Sequence, residues 1–223
     1  MSEMSQESLS ERLMTICSMI DPCDTVVDVG SDHGKLSSYC LAHHICSHVV
    51  ATDIHDQPAE RTRIHLVEQG FEDVSTVCCT DGLQGVKLVT GMTIVIAGMG
   101  GLEIRKILSN ALSDEGMPIG MRLILQPQRS HYELRAFLSE SGFTIDEESI
   151  AIEKGHYYTI MKVTYLAKKY ELNDEQLFLG PCILRDRPPL FETFMEHERK
   201  VMQKKALGDP RCARIVERWE TLL

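Results

Sequence analysis

The stretch Val26-Val27-Asp28-Val29-Gly30-Ser31-Asp32-His33-Gly34 decides the fold. A β-branched run enters a glycine-containing turn, and a helical pattern starting near Leu36 leaves it. A doubly wound α/β domain builds its first cofactor-binding turn in this way. Glycine lets the backbone approach a ligand that a Cβ would hold off. The nicotinamide fingerprint G-x-G-x-x-G needs a second glycine at position 32, where this chain carries an acid. Asp28 and Asp32 suit a cationic ligand better than a pyrophosphate, which is bound by bare N–H groups. S-adenosylmethionine, with its sulfonium and ammonium, is such a ligand.

Outward from this turn the pattern repeats. Apolar residues at 9, 13, 16 and 20 have helical spacing, and Asp21-Pro22 ends that helix. Near-continuous apolar strands are expected at 25–30, 48–53, 74–79, 92–97 and 121–126, read as five β-then-α units. Strands that are apolar throughout belong to a parallel sheet covered on both faces. Two further strands, at 143–153 and 157–166, follow in quick succession and imply an antiparallel hairpin. Dinucleotide dehydrogenases continue to a sixth parallel strand instead. The expectation is an α/β, Rossmann-like class I methyltransferase fold with a seven-stranded, mostly parallel sheet. Residues 1–167 would form the S-adenosylmethionine-binding domain. Residues 168–223 would form a small helical hairpin, with helices near 172–184, 190–207 and 211–223.

Length and charge narrow the function classes. A chain of 223 residues buries one full core and a small appendage. No stretch reaches transmembrane length, and residues 1–10 are polar rather than signal-like, so no membrane role and a cytoplasmic setting are expected. Eight cysteines without a C-x-x-C read as reduced thiols. The cluster Cys40, His43, His44, Cys46, His48 lacks a second ligand pair at matching spacing, so no metal is expected. Cys78 and Cys79 read as core or near-core thiols. The net charge of −10 argues against general polyanion binding. The basic residues are unevenly placed, however. Residues 168–223 hold 11 of the 23 lysines and arginines against 10 acids, so a nucleic-acid contact belongs there. Lys200 and Lys204 share a helical face, with 201 and 207 supplying apolar contacts on another.

In a doubly wound sheet the ligand sits outside the carboxyl ends of the strands. Those ends carry Gly30 to Gly34, then Asp53-Ile54, Asp81-Gly82 and Ala97-Gly98-Met99-Gly100-Gly101. Asp53 either offers two acceptors to the vicinal hydroxyls of a ribose or caps the next helix; its place in this series favours binding. Asp81 suits the exocyclic amine of adenine and Gly82 a ring nitrogen, the bland alternative being an Asp-Gly turn. Gly98, Gly100 and Gly101 leave open backbone on which a flat base could lie. Gln126-Pro127-Gln128 either presents amides to a base edge or satisfies a buried turn.

Five strings occur in one order: Leu9-Ser10-Glu11-Arg12-Leu13, Asp28 to His33, Asp81-Gly82-Leu83, Ile96 to Gly101, and Leu123 to Pro127. Together they resemble the bacterial TrmK family, the tRNA (adenine-22-N1)-methyltransferases. The resemblance runs from about Leu9 to Phe194, with Leu179-Gly180-Pro181 and Pro189-Leu190-Phe191 matching the family's C-terminal helices. It implies a donor site at Asp28, Gly30, Ser31, Asp32, His33, Asp53, Ile54, Asp81, Gly82, Ala97 and Gly98. The substrate side would be Arg12, Met99, Gly100, Gly101, Gln126, Pro127, Gln128, Lys200 and Lys204. Arg12 and Asp32 are the residues expected to act in catalysis, Arg12 by positioning. Departures from the family pattern are Gly34-Lys35-Leu36-Ser37 for Ala-Tyr-Leu-Pro and Thr52-Asp53 for Gly-Glu. A small-molecule methyltransferase and a nucleoside-binding regulator without turnover are the alternatives.

Overall fold

The computed structural model describes residues 9–114 and 116–223, so residues 1–8 of the N-terminal segment read for a signal lie outside the described residues. A first helix, α1 (Glu11–Ser18), opens on Ser10, whose hydroxyl accepts from the Leu13 N–H. The sheet strands are β1 (Cys23–Val29), β2 (Cys46–Asp53), β3 (Ser75–Cys79), β4 (Met92–Met99), β5 (Met121–Pro127), β6 (Phe143–Glu153) and β7 (His156–Tyr165). Their spatial order is β3-β2-β1-β4-β5-β7-β6. β7 runs antiparallel to both β5 and β6, and the pairs from β3 to β5 are all parallel. The expected seven-stranded, mostly parallel Rossmann-like sheet is therefore present.

Alternation along the strands divides the core. Val27, Val29, Ile94 and Ile96 point to one face and meet Ile104, Leu108, Leu134 and Leu138. These come from α4 (Gly101–Ser113) and α5 (His131–Glu140). Val26, Val49, Val95 and Ile124 point to the other and meet Ile16, Leu36, Leu41 and Leu66. Those lie on α1, α2 (Lys35–Ala42) and α3 (Asp56–Glu68). Burial on both sides explains why the central strands read as unbroken apolar runs.

Three expectations need correction. β3 is followed by turns through residues 80–91, not by a helix, so one of the β-then-α units is missing its helix. β3 is an edge strand, and Cys79 is exposed instead of near-core. Leu207 is 93% exposed in the turn beyond the helix at 191–205, whose apolar side is buried through Phe191, Phe194, Met195 and Met202 instead.

The tail contains α6 (Asp174–Leu179), α7 (Pro181–Asp186), α8 (Phe191–Lys205) and α9 (Pro210–Glu217). A third apolar cluster gathers Leu179, Ile183, Phe194, Met202, Ile215 and Trp219 over Ile150 of β6. A buried ion pair fastens it: Arg135 Nε lies 2.9 Å from Glu148 Oε1, and Arg135 Nη1 donates to the Leu177 and Phe178 carbonyls. Glu148 Oε2 accepts from Cys182 N at 2.9 Å, at the start of α7. Such a buried pair is tolerated because its remaining lone pairs and protons are satisfied. Among the described residues, no helix is long and apolar enough to cross a membrane.

Candidate active site

The topology reverses between β1 and β4: the chain moves outward through β2 and β3, then returns to the opposite side of β1. The crevice at such a switch is where doubly wound folds bind ligands. The register aligns Val29 with Thr52 and Ile96, and Ala97 with Gln126, so the strand ends form one rim.

At the centre of the rim, Gly30 has φ +75°, and a Cβ there would lie 2.3 Å from Met99 Cε. The positive φ is what favours glycine here; the Met99 methyl is the far end of a flexible side chain and can move aside. Gly30 N and Ser31 N both donate to the Thr52 carbonyl, which folds the turn toward β2. Ser31 is buried with its hydroxyl 3.4 Å from Thr62 Oγ1, so its side chain serves the turn. Asp28 is also buried and accepts from Ser37 Oγ at 2.7 Å, tying β1 to α2. Burial pushes its carboxyl up to about 6, against the opposing effect of the Ser37 hydrogen bond. Asp32 and His33 are the exposed members. Asp32 Oδ1 lies 2.8 Å from Arg61 Nη2 and 3.6 Å from His33 Nε2, and His33 adopts φ +66°.

The neighbouring ends follow in order. Asp53 Oδ1 accepts from the His55 N–H at 2.9 Å, the turn role weighed against ribose binding. Its carboxylate retains further acceptor sites, so this bond and a ribose contact are compatible. Ile54 is 57% exposed beside it. Thr52 Oγ1 donates to the Gly82 carbonyl at 2.8 Å, fixing the Asp81-Gly82 turn, while Asp81 lies 3.5 Å from Lys106 Nζ. A cleft of about 270 Å³ between the 83–88 loop and the second half of α4 includes only Asp81 of the expected site residues. It is therefore not the rim site.

The glycines after β4 divide by role. Gly98 is exposed, has φ +79°, and nothing lies within 4 Å of where its Cβ would be. Gly101 is buried, and a Cβ there would sit 2.4 Å from the Ser130 carbonyl oxygen. Close packing of α4 on the loop before α5 thus explains Gly101, correcting its reading as open backbone. Gly100 stands beside Arg129, with Arg129 Nε 3.3 Å from its Cβ direction.

Gln126 is fully buried and offers no amide to a base edge. Its Oε1 accepts from Arg12 Nη1 at 2.8 Å and from Gly98 N at 3.2 Å, and its Nε2 donates to the Pro127 carbonyl. Pro127 is buried too, whereas Gln128 is exposed and its N–H is bound to the Met99 carbonyl. Arg12 pairs with Glu153 at 3.1 Å and lies 5.6 Å from the Tyr158 ring centroid, its side chain only 18% exposed. Ser10 and Arg12 together hold the Glu153 carboxyl below its ordinary range. Lys200 is paired with Glu196 at 3.1 Å on the exposed side of α8, and Lys204 is exposed on the same helix.

Sequence reasoning missed Arg61, Glu153, Tyr158 and Arg129. Arg129 directly follows Gln128 in the loop between β5 and α5; the other three belong to no local motif and reach the rim only through strand pairing or helix packing. Among the described residues no group of three or more His, Cys, Asp or Glu is placed to hold a metal.

A sheet of this order, with an antiparallel final strand pair and an acid-and-glycine rim, defines the class I methyltransferase architecture. The chain belongs to the methyltransferase-domain family, which matches residues 9–161, and within it to the TrmK proteins. It is 31% identical over 158 residues to the tRNA (adenine(22)-N(1))-methyltransferase of Bacillus subtilis, covering 71% of this chain and 66% of that relative. It is 27% identical to a putative tRNA methyltransferase of Mycoplasma genitalium, with 79% of each chain covered. A putative tRNA (m1A22) methyltransferase of Streptococcus pneumoniae, solved with S-adenosyl-L-methionine, superimposes with a TM-score of 0.85 at 25% identity. That superposition covers 97% of this chain and 100% of that one.

Proposed function

We propose that this protein transfers the methyl group of S-adenosylmethionine to N1 of an adenine in tRNA. The observation that carries the reading is the rim itself: Gly30, Asp53, Asp81 and Gly98 end four adjacent parallel strands. The relatives named above supply the choice of donor and of tRNA.

The rim fits the donor. Gly30, at φ +75°, gives the turn bare backbone that a ligand can approach closely. Asp53, with acceptor sites left after the His55 bond, would hold the ribose hydroxyls. Asp81 and the Gly82 backbone would hold the adenine edge, with exposed Ile54 offering an apolar surface beside them. Asp32 would meet the ammonium by exchanging its Arg61 partner. When bound, the donor supplies an electrophilic methyl group on a sulfonium.

The protein's own work is placement. N1 of an unpaired adenine has a free lone pair, so no strong general base is needed. Orientation and exclusion of water then supply most of the acceleration. An adenine paired in a helix hides N1, so the base must be unstacked at a cost of a few kcal/mol. The open Gly98 backbone is the surface on which it would rest, and a carboxylate at the rim favours the cationic methylated ring. Residues 168–223 would form the RNA-facing helical appendage, with Lys200 and Lys204 along it. The setting is the cytoplasm, in keeping with eight free thiols.

The test is incubation with methyl-labelled donor and unmodified bulk tRNA, followed by nucleoside analysis. Label is expected in 1-methyladenosine. Donor binding without label in tRNA would refute the substrate and favour the regulatory reading.

A further inference from the structure

We propose that Gln126 is a positioning residue for methyl transfer and that Arg12 holds it in its working orientation. The N-terminal helix thereby sets the shape of the β4 tip. This rests on the reading of that tip as the platform for the target base.

The argument starts at a gap in the ladder. The β4–β5 register slips between Ala97 and Met99, which leaves Gly98 as an extra residue opposite no partner. The N–H of a bulged residue loses its ladder acceptor. The Gln126 side chain fills the gap: its Oε1 takes the Gly98 N–H at 3.2 Å. The same oxygen takes Arg12 Nη1 at 2.8 Å, while Nε2 donates to the Pro127 carbonyl at 2.8 Å. Two donors converging on one oxygen fix the amide's orientation, because a flipped amide would set its NH₂ against both.

Arg12 is itself held. Glu153, the last residue of β6, takes its Nε, and the Tyr158 ring of β7 lies beneath its guanidinium. An arginine kept for an RNA phosphate would stand out in solvent, as Arg129 does; Arg12 is mostly buried. A continuous polar chain therefore runs from α1 and the β6–β7 hairpin through Gln126 to the Gly98 bulge. Loss of Arg12 removes the stronger of two constraints on the Gln126 amide and loosens the bulge. The parts of the donor site at β1, β2 and β3 are untouched.

The experiment compares full-length Arg12→Ala, Gln126→Leu and Gln126→Glu with the wild type. Turnover is measured on an unmodified tRNA transcript, and binding by calorimetry with S-adenosylhomocysteine. Arg12→Ala and Gln126→Leu should lower kcat roughly tenfold to a hundredfold, as misplaced reacting atoms do. KM for tRNA and Kd for S-adenosylhomocysteine should stay within about threefold, since uniform binding is not removed. Gln126→Glu, which keeps an acceptor for both donors, should recover at least about fivefold over Gln126→Leu. The Gly98 amide should exchange its hydrogen at least about tenfold faster in Arg12→Ala, because its acceptor is no longer held.

A raised KM with unchanged kcat in Arg12→Ala would make Arg12 an RNA contact and overturn the proposal. Unchanged Gly98 exchange would overturn it too. That exchange measurement needs no turnover, so it tests the Arg12–Gln126–Gly98 linkage even if Gln126→Leu does not fold, and it separates failure of that linkage from failure of tRNA as the substrate.

Discussion

Replacing Asp28 by asparagine should stabilise the protein at neutral pH. The carboxyl is 6% exposed and its hydrogen bond is from Ser37 Oγ at 2.7 Å. Burial raises its pKa to about 6, with the Ser37 bond pulling the other way. Against an ordinary aspartate near 3.9, at about 1.36 kcal/mol per tenfold, the ionised form is disfavoured in the folded state by up to about 3 kcal/mol. The native carboxyl therefore retains a proton between about pH 4 and pH 6 that the unfolded chain has already released. Stability from this group is fully present below about pH 4 and is lost as pH rises through about pH 6. Asparagine accepts the same Ser37 bond and never ionises. The variant should gain about 1–3 kcal/mol over wild type at pH 7.5 and about nothing at pH 4. Urea unfolding of both proteins at half-unit steps from pH 4 to pH 7.5 checks this. A difference that does not change with pH, or a less stable variant at pH 7.5, would refute the assignment of Asp28 as a buried carboxyl carrying a desolvation cost.

Other perturbations separate the roles within the rim. Asp53→Ala should weaken S-adenosylhomocysteine binding by roughly 1–3 kcal/mol, the cost of leaving buried hydroxyls unpaired; unchanged affinity in calorimetry would remove the ribose assignment. Gly101→Ala should destabilise the fold by about 1–3 kcal/mol, because the new Cβ meets the Ser130 carbonyl at 2.4 Å, while thermal unfolding at wild-type temperature would contradict the packing role. Lys204→Glu and Arg129→Ala should each raise KM for tRNA and lower the salt slope of binding by roughly one, leaving donor affinity unchanged. A wild-type salt slope would return those side chains to a solvated surface.

The sequence by itself determined the architecture. The unbroken apolar runs Val26-Val27 and Ile94-Val95-Ile96 are local information, and strands apolar on both faces belong to a covered parallel sheet. The closely spaced final strands announced the hairpin for the same reason, and the glycine and acid turns followed from where those strands end. Tertiary structure decided what each rim residue does. Gly98 and Gly101 are identical as letters, yet one faces open space and the other is pressed against a carbonyl. Gln126 read either as an amide for a base edge or as a buried turn group; the ladder slip opposite it, which leaves the Gly98 N–H for its oxygen to take, decided for the second. Arg12 and Glu153 are 141 residues apart, and only the docking of α1 on the end of β6 makes them a pair. Strand periodicity depends on each residue's near neighbours, so a sequence carries it. A hydrogen-bond partner depends on where the chain returns, and only the folded sheet fixes that.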